Sequence, residues 1–417
     1  MIYLHVPFCR SFCTYCGFYS EVAPKPRAAA DSARQAALME EYVSAVCAEI
    51  EYRRHDIDRV FASGDVNTLY IGGGTPSVLP LDAFGRVLAA LGRSGFREFT
   101  VEVNPEDIVE KGVAYVEGLL GLGVNRISMG VQSLDDGILR FMNRRHSSSV
   151  AMEAYRILEQ AGVDNISIDL IFGLSQLTDS LWKETLDRAL EEMRPTHISA
   201  YQLSVEPGSM LEKMIAKGKW EEASDELCRK QYDVLCERLG AAGYHHYEIS
   251  NFARPGFEAV HNSAYWRHVP YVGLGPGAHS YLTDTFGRGV PVDTFTPPSS
   301  MLQACRADAS GGVVRQWNKD SLKEYLKAGQ TGDFSAVRDG EVLDDGQLAL
   351  EKVMLGLRTS AGLPETVLRE CCSAGAVDGA LASGDLVTGG DGHLRIPEDR
   401  FFISDSIILN MAGGDKA

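Results

Sequence analysis

Strand-like apolar runs alternate with amphipathic helical segments from residue 1 to about residue 280, and this alternation restricts the possible folds more than any other feature. We predict six strands, at Ile2–Val6, Thr68–Gly72, Phe99–Val103, Arg126–Gln132, Ile166–Phe172 and His197–Leu203. Segments of helical periodicity, such as Leu81–Leu91, lie between them. Strands separated by helices of this length form βαβ units with right-handed crossovers. The pattern predicts an α/β fold built on a partial (β/α)6 barrel of the TIM type.

The remainder of the chain differs in composition from this barrel. We expect a core barrel over 1–284 and a linker with connecting helices over 285–343, which is rich in Pro, Gly, Ser and Asp. Helical periodicity returns at residue 344, and a short hairpin pattern follows the helical segments within 344–417. Helices followed by a hairpin predict a smaller, helical, winged-helix-like C-terminal domain.

The charge and hydropathy of the chain argue against nucleic-acid binding and against a membrane span. The formal net charge of the 417 residues is −17, which disfavours sequence-independent binding to a phosphate backbone. No apolar run approaches the roughly 20 residues of a membrane span. The first residues also lack the basic and apolar regions of a secretory signal. We therefore expect a cytoplasmic protein that binds no nucleic acid.

Three cysteines crowd into eight positions directly after the first predicted strand. Cys9, Cys13 and Cys16 form a C-x3-C-x2-C pattern, and thiolates are the usual ligands of iron–sulfur clusters. Three ligands leave one iron of a [4Fe–4S] cluster without a protein ligand. The alternatives are a zinc site completed by His5, or buried thiols with no metal.

The spacing of these cysteines, with the flanking residues LHVPFC and YCGFYS, resembles the radical-SAM superfamily. The flanks are most similar to the branch that contains oxygen-independent coproporphyrinogen III dehydrogenases and HemW-type haem chaperones. The resemblance implies a [4Fe–4S] cluster on Cys9, Cys13 and Cys16. It also implies S-adenosylmethionine (SAM), which the reduced cluster cleaves in this family to methionine and a 5′-deoxyadenosyl radical.

Polar residues at the ends of the predicted strands match the SAM contacts of the same family. Gly72-Gly73-Gly74 follows the second strand, where glycines permit close approach of a ligand to the backbone. Asp169 interrupts an otherwise apolar strand, and a charge in such a run needs a reason to be there. Each residue alone could be a helix cap, an ion-pair partner or a core aromatic. The resemblance assigns SAM contact to Tyr3, Tyr15, Gly73, Gly74, Thr75, Glu102, Gln132, Arg144, Asp169 and Ser204.

Two features favour the haem chaperones over the dehydrogenases within this branch. Phe18 stands where the dehydrogenases usually carry a further cysteine, two positions after the third ligand. A second motif, His261-Asn262-Ser263-Ala264-Tyr265-Trp266, resembles the HNxxYW motif of the chaperones. Imidazole is a natural axial ligand of haem iron, and aromatic rings offer flat apolar surface to a porphyrin. The resemblance makes His261, Asn262, Tyr265 and Trp266 candidate haem contacts. The alternative is a hydrogen-bonded histidine in a loop that closes the barrel.

The resemblance implies a protein that binds haem as cargo and delivers it to apo-haemoproteins. The alternative function is a dehydrogenase that performs radical oxidative decarboxylation of coproporphyrinogen III propionates. We assign no catalytic residue, and enzymatic activity is left undecided. The partners implied are haem, apo-haemoprotein clients and an electron donor such as a flavodoxin or ferredoxin. A homodimer and peripheral contact with membrane-bound clients stay open.

Overall fold

The computed structural model describes residues 1–23, 28–62, 66–283 and 312–412. We number its strands along the chain as β1 (Ile2–Val6), β2 (Phe8–Cys9), β3 (Glu21–Val22), β4 (Thr68–Gly73), β5 (Glu98–Val103), β6 (Arg126–Gln132), β7 (Ile166–Phe172), β8 (His197–Gln202), β9 (His245–Glu248), β10 (Asn251–Ala253), β11 (Val272–Leu274), β12 (His279–Thr283), β13 (Val313–Asn318), β14 (Arg338–Leu343), β15 (Leu363–Pro364), β16 (Val387–Thr388) and β17 (His393–Arg395).

The α-helices are numbered in the same way. They are α1 (Ala29–Tyr52), α2 (Arg54–Ala62), α3 (Leu81–Leu91), α4 (Pro105–Gly121), α5 (Asp136–Phe141), α6 (Ser148–Gln160), α7 (Asp179–Arg188), α8 (Met210–Ala216), α9 (Asp225–Ala241), α10 (Val260–Trp266), α11 (Leu322–Thr331), α12 (Asp345–Gly356), α13 (Glu365–Cys371), α14 (Ala374–Ser383) and α15 (Ser404–Ala412).

A nine-stranded sheet in the order β11-β1-β4-β5-β6-β7-β8-β10-β9 forms the core of the fold. Neighbouring strands from β11 to β8 pair in parallel, and β10 and β9 are antiparallel additions at one edge. The six strands predicted from the sequence are β1 and β4 to β8, and they lie side by side in chain order. The predicted α/β fold with a parallel-sheet core is therefore confirmed.

The helices cover this sheet because their apolar residues recur on one face. In α3 the buried side chains are Ala83, Phe84, Val87 and Leu91, which is the spacing of a single helical stripe. The helix ends at Gly92, whose left-handed backbone suits glycine. The strands themselves are apolar on both faces, as β7 shows with buried residues at six of its seven positions, because helices and barrel interior bury both sides.

Residues 312–343 contain more regular structure than the predicted linker. β13 pairs with β12 and with β14 to form a three-stranded antiparallel sheet, and α11 packs against α1. Of the predicted linker, residues 285–311 lie outside the described residues. The apolar alternation in β13 and β14 is weak because their buried positions include the polar residues Gln316, Asn318 and Arg338.

The C-terminal part is mainly helical, as predicted. It consists of α12 to α15 around a small sheet in the order β15-β17-β16. The first of these helices begins at a capping box, in which Asp344 and Gln347 each accept a hydrogen bond from the other's backbone N–H. No helix in the described ranges is both long and apolar enough to cross a membrane.

A fully buried carboxylate joins the barrel to the segment that follows it. Glu49 of α1 accepts hydrogen bonds from the Gly275 N–H at 2.8 Å, the Asn318 side-chain amide at 2.7 Å and the Tyr325 hydroxyl at 2.6 Å. The donors lie after β11, at the end of β13 and in α11. A buried carboxyl group of this kind is tolerated because three donors satisfy its oxygens.

Glu49→Ala is expected to lower the free energy of unfolding by about 3 kcal/mol or more, because it leaves three donors without their acceptor. Glu51→Ala is the matched control from the same helix, since the Glu51 side chain is 80% exposed and forms a surface ion pair with Arg54. Surface pairs of this kind contribute up to about 1 kcal/mol. Denaturant unfolding followed by circular dichroism measures both variants. Equal midpoints for the two would contradict the assigned role of Glu49.

Candidate functional site

A cavity of about 510 Å³ opens at the carboxyl ends of the parallel strands. This is the end at which parallel α/β barrels hold their ligands. Twelve of the residues that the sequence analysis assigned to the cluster or to SAM line it: Cys9, Cys13, Tyr15, Cys16, Gly73, Gly74, Thr75, Glu102, Gln132, Arg144, Asp169 and Ser204. Residues from β2, β4, β5, β6, β7 and the loops between them thus meet in one place.

The three cysteines of the N-terminal loop all face this cavity and are free thiols. The Cys9 thiol lies 3.3 Å from the Thr75 hydroxyl. Burial raises the pKa of the Cys9 thiol, and it raises the pKa of Cys16 to about 11. Thiols in such a place stay protonated until a metal binds and displaces the proton.

This donor set fits an iron–sulfur cluster better than a single zinc ion. In the part of the chain that the structure describes, no three His, Cys, Asp or Glu side chains are arranged to hold one metal ion. Thiolates that bind three different irons of a cluster need not converge on one point. His5, the fourth ligand of the zinc alternative, uses both ring nitrogens elsewhere: Nδ1 lies 3.0 Å from the Tyr3 hydroxyl and Nε2 lies 2.9 Å from the Tyr19 carbonyl oxygen.

Arg144 connects the cysteine loop to the sheet. One guanidinium nitrogen donates to the Cys13 thiol at 3.5 Å, and the other donates to the Gly130 carbonyl at 2.6 Å and to the Asn104 side chain. Its buried Nε has no partner among the described residues. The contacts with Tyr15 and Cys13 raise the pKa of Arg144 despite its burial. The group therefore supplies a fixed positive charge beside the cysteine loop.

Two carboxyls face the cavity, Glu102 from near the end of β5 and Asp169 from the middle of β7. Glu102 accepts hydrogen bonds from the Tyr70 hydroxyl at 2.7 Å and from the Gly73 N–H at 3.1 Å. Burial raises the pKa of Glu102 to about 7, and burial likewise raises the pKa of Asp169 to about 6. Arg126, inside the barrel, opposes both shifts. The two groups therefore change their protonation near neutral pH.

The backbone around the cavity explains two residue choices. A side chain at Gly74 would place its Cβ 2.7 Å from the Phe8 carbonyl oxygen, so only glycine lets β4 approach the cysteine loop this closely. Gln132 adopts φ 67°, a left-handed conformation that is rare for a non-glycine residue. A register shift between Gly130 and Gln132 forms a bulge in β6. Bulges redirect side chains next to binding sites, and this one turns the end of β6 toward the cavity.

Tyr3 does not line the cavity. It lies beneath the cavity floor, where its hydroxyl contacts His5 and its ring lies 6.1 Å from that of Tyr70. Burial raises its pKa. Tyr15 lines the cavity beside the cysteines, and Ser204 lines it at the rim, where its hydroxyl donates to Glu206 at 2.7 Å.

The predicted haem motif lies at the opposite end of the strands. His261 in α10 is 1% exposed; its Nδ1 lies 2.8 Å from the Thr68 hydroxyl and its Nε2 lies 2.9 Å from the Tyr265 hydroxyl. Glu98 accepts from the His261 N–H at 2.9 Å. Thr68 and Glu98 are the first residues of β4 and β5, so the motif covers the amino end of the barrel. The length of β4 is about 17 Å, from the rise per residue of a parallel strand. The motif and the cavity are therefore separated by the length of this strand.

Burial lowers the pKa of His261 to about 3, so the ring is neutral. Both nitrogens are engaged, and neither is free to bind iron while these hydrogen bonds last. None of His261, Asn262, Tyr265 and Trp266 lines the cavity. The geometry favours the alternative stated above, a hydrogen-bonded histidine that closes the barrel, over an open haem ligand.

The sequence analysis did not assign three residues that the structure brings to the site. Tyr70 lies inside the barrel with its ring 5.2 Å from that of His261 and its hydroxyl on Glu102. Asn104 receives the guanidinium of Arg144, and Tyr201 lines the cavity at the end of β8. In β4, Tyr70 lies between the apolar residues Leu69 and Ile71. This alternation is typical of a side chain that faces the barrel interior, so Tyr70 could have been predicted from the sequence.

Comparisons with known proteins identify the family of this chain. Residues 3–189 match the Radical SAM superfamily. The chain is 34% identical to the heme chaperone HemW of Synechocystis over 366 residues, which cover 87% of this chain and 78% of that protein. It is 30% identical to the heme chaperone HemW of Mycobacterium tuberculosis over 423 residues, covering 99% and 94%.

The fold is similar to that of a solved structure, coproporphyrinogen III oxidase (HemN) from Escherichia coli, a radical SAM enzyme. The TM-score is 0.71 at 20% sequence identity, over 99% of this chain and 89% of that one. At this identity the likeness establishes the fold. The identities over most of each chain establish the family: the chain belongs to the radical SAM superfamily and, within it, to the family of the heme chaperone HemW.

Proposed function

We propose that the protein binds haem and delivers it to apo-haemoproteins, and that its cluster and SAM control this delivery. The observation that carries the proposal is the side chain at the cavity mouth: Phe18, which is 73% exposed, stands where a dehydrogenase of this branch would carry a further cysteine. The similarity to proteins named heme chaperones extends through the barrel and the C-terminal part.

Membership in the radical SAM superfamily implies a [4Fe–4S] cluster and SAM. We propose Cys9, Cys13 and Cys16 as the cluster ligands. The family's reduced cluster supplies an electron that cleaves SAM. The protein's own part is to hold the thiolates, to supply the positive charge of Arg144 beside Cys13, and to exclude water with the buried walls of the cavity.

For SAM we propose the predicted residues that line the cavity. Glu102 offers a carboxylate to ribose hydroxyls, as acidic residues do in dinucleotide sites. The guanidinium of Arg144, which lines the cavity, supplies positive charge, and the glycines at the end of β4 let a ligand approach the backbone. Tyr3 is not part of this set, because it does not line the cavity; its hydroxyl contacts His5, whose ring lies against Gly73. The electron donor (a flavodoxin or ferredoxin), the clients and the cytoplasmic location stay predictions.

Replacing Cys9, Cys13 or Cys16 by Ala is expected to abolish the visible absorption of the reconstituted cluster, because two thiolates hold it too weakly. Cys47→Ala is the control, since Cys47 is a half-buried free thiol of α1 that does not line the cavity. Iron and sulfide content per chain, with the absorption spectrum, measures the effect. A complete cluster in all three variants would overturn the assignment.

SAM affinity is expected to rise as pH increases from about 6.5 to 8. The pKa of Glu102 is raised to about 7, so the carboxylate that accepts from ribose forms within this range; Asp169, with its pKa raised to about 6, is mostly ionised already. The gain over this range is about fourfold, because the ionised fraction of a group with a pKa near 7 rises from about one quarter at pH 6.5 to about nine tenths at pH 8. Glu102→Gln should weaken binding and flatten the profile. Equilibrium dialysis of labelled SAM measures it, and an unchanged slope in the variant would exclude Glu102.

The proposed function is separated from the dehydrogenase alternative by one anaerobic experiment. Reconstituted protein is incubated with SAM, a strong reductant and coproporphyrinogen III, and 5′-deoxyadenosine and porphyrins are quantified by chromatography. We expect cleavage of SAM without decarboxylated product, and transfer of haem from loaded protein to an apo-haemoprotein in a parallel sample. Formation of protoporphyrinogen together with 5′-deoxyadenosine would make the protein an enzyme and refute the carrier function.

A further inference from the structure

One face of β4 reaches from the amino end of the barrel to the cavity. Successive side chains of a strand point to opposite sides, so Thr68, Tyr70 and Gly72 share one face. The Thr68 hydroxyl contacts the His261 ring at 2.8 Å, and Gly72 precedes Gly73, which lines the cavity. Tyr70 therefore lies between the predicted haem motif and the predicted SAM site.

The adjacent strand, β5, repeats this arrangement. Glu98, its first residue, accepts hydrogen bonds from the backbone N–H groups of Val260 at 2.7 Å and His261 at 2.9 Å. Glu102 lies four residues later on the same face and lines the cavity. Two neighbouring strands thus each contact α10 at one end and contribute to the cavity at the other.

Tyr70 contacts residues of both ends. Its hydroxyl donates to Oε1 of Glu102 at 2.7 Å. Its ring centroid lies 5.2 Å from that of His261, with 34° between the two ring planes. Gly72 leaves room for this contact, because a Cβ there would lie 2.7 Å from the Tyr70 ring and 2.8 Å from Oε1 of Glu102. One side chain therefore joins a cavity-lining carboxyl to the candidate haem ligand.

His261 has to change its contacts before it can bind iron. Its ring nitrogens form hydrogen bonds with the hydroxyls of Thr68 and Tyr265, and Tyr70 packs against the ring. We call this the closed arrangement of His261. Tyr70 is only half-buried, so its position depends on the hydrogen bond to Glu102 as well as on packing. A fixed Tyr70 ring favours the closed arrangement, and a ring that can move permits His261 to release a nitrogen.

A ligand in the cavity acts on the other end of Tyr70. Glu102 is the carboxylate that we propose for the ribose hydroxyls of SAM. A ligand that donates to Glu102 restricts the carboxylate that accepts from the Tyr70 hydroxyl. A hydrogen bond to an ionised, fixed carboxylate is shorter and stronger than a neutral one. SAM on Glu102 therefore fixes the ring that packs against His261.

We infer that Tyr70 couples the cavity to His261, so that SAM on Glu102 and haem on His261 oppose each other's binding. The inference rests on the proposed function and on haem contact at His261. One ligand orders a side chain that the other has to release, which gives negative cooperativity, and such coupling is reciprocal. Tyr70 acts through its neighbours, as a positioning residue. SAM that enters haem-loaded protein thus favours release of the haem.

The test compares the SAM affinity of haem-loaded and haem-free protein. Cluster-loaded protein is used without reductant, so that SAM is not cleaved, and equilibrium dialysis of labelled SAM at one fixed pH gives both dissociation constants. Bound haem is expected to weaken SAM binding about fivefold, a typical coupling between two sites. Tyr70→Phe keeps the ring and removes the hydroxyl that donates to Glu102, so its two dissociation constants should be equal.

Tyr115→Phe is the matched control. Tyr115 is a buried residue of α4 whose hydroxyl donates to the Leu79 carbonyl at 3.2 Å, and it does not line the cavity. This variant also loses one tyrosine hydrogen bond, but the difference of about fivefold between haem-loaded and haem-free protein should persist. Melting temperatures verify that both variants fold, and the wild-type comparison tests the coupling by itself.

The outcomes separate the inference from the function on which it rests. Wild-type protein that takes up no haem overturns both. Haem uptake that leaves SAM affinity unchanged, or strengthens it, overturns the inference and leaves the carrier function standing. A loss of SAM affinity that persists in folded Tyr70→Phe overturns the role of Tyr70 and likewise leaves the carrier function standing.

Discussion

Parallel pairing of seven neighbouring strands is the constraint on which the site depends. Because β11, β1 and β4 to β8 all run in one direction, their carboxyl ends lie at the same end of the barrel. Residues far apart in the chain, such as Cys13 and Arg144, come within hydrogen-bond distance there. The same pairing places Thr68 and Glu98 at the opposite end of the barrel, where they form hydrogen bonds with His261 of α10. The parallel pairing thus places the cavity at one end of the barrel and the helix that closes the barrel, α10, at the other.

Much of this arrangement could be predicted from the sequence, because it depends on local periodicity. The strands Ile2–Val6, Arg126–Gln132 and Ile166–Phe172 were predicted with the bounds that the structure gives. An apolar run buried on both faces leaves a clear signal, and a polar residue at its end points to the site. The short strands β9 and β10 gave no such signal, since three or four residues are too few to show a period.

Features that depend on contacts between residues distant in the chain could not be predicted from the sequence. Nothing near His261 in the chain indicates that Thr68 engages one ring nitrogen, so whether the ring is open or closed to a ligand could only be seen in the structure. The same holds for Tyr70, whose hydroxyl meets Glu102 from an adjacent strand. The resemblance named twelve residues that line the cavity and also Tyr3, which does not line it. It did not indicate at which end of the barrel the second motif lies.

The hydrogen bonds of Glu49 bear on where the cofactor-binding unit ends. The superfamily match stops at residue 189, yet β8 pairs with β7, β11 pairs with β1, and Asn318 and Tyr325 satisfy a carboxylate of the first long helix. Tyr19, at the exit of the cysteine loop, accepts from the Leu322 N–H at 2.6 Å. The shared sequence is therefore not a detachable module. A chimera joined at residue 189 would cut through the sheet, and a graft of the cofactor site must carry the chain as far as α11.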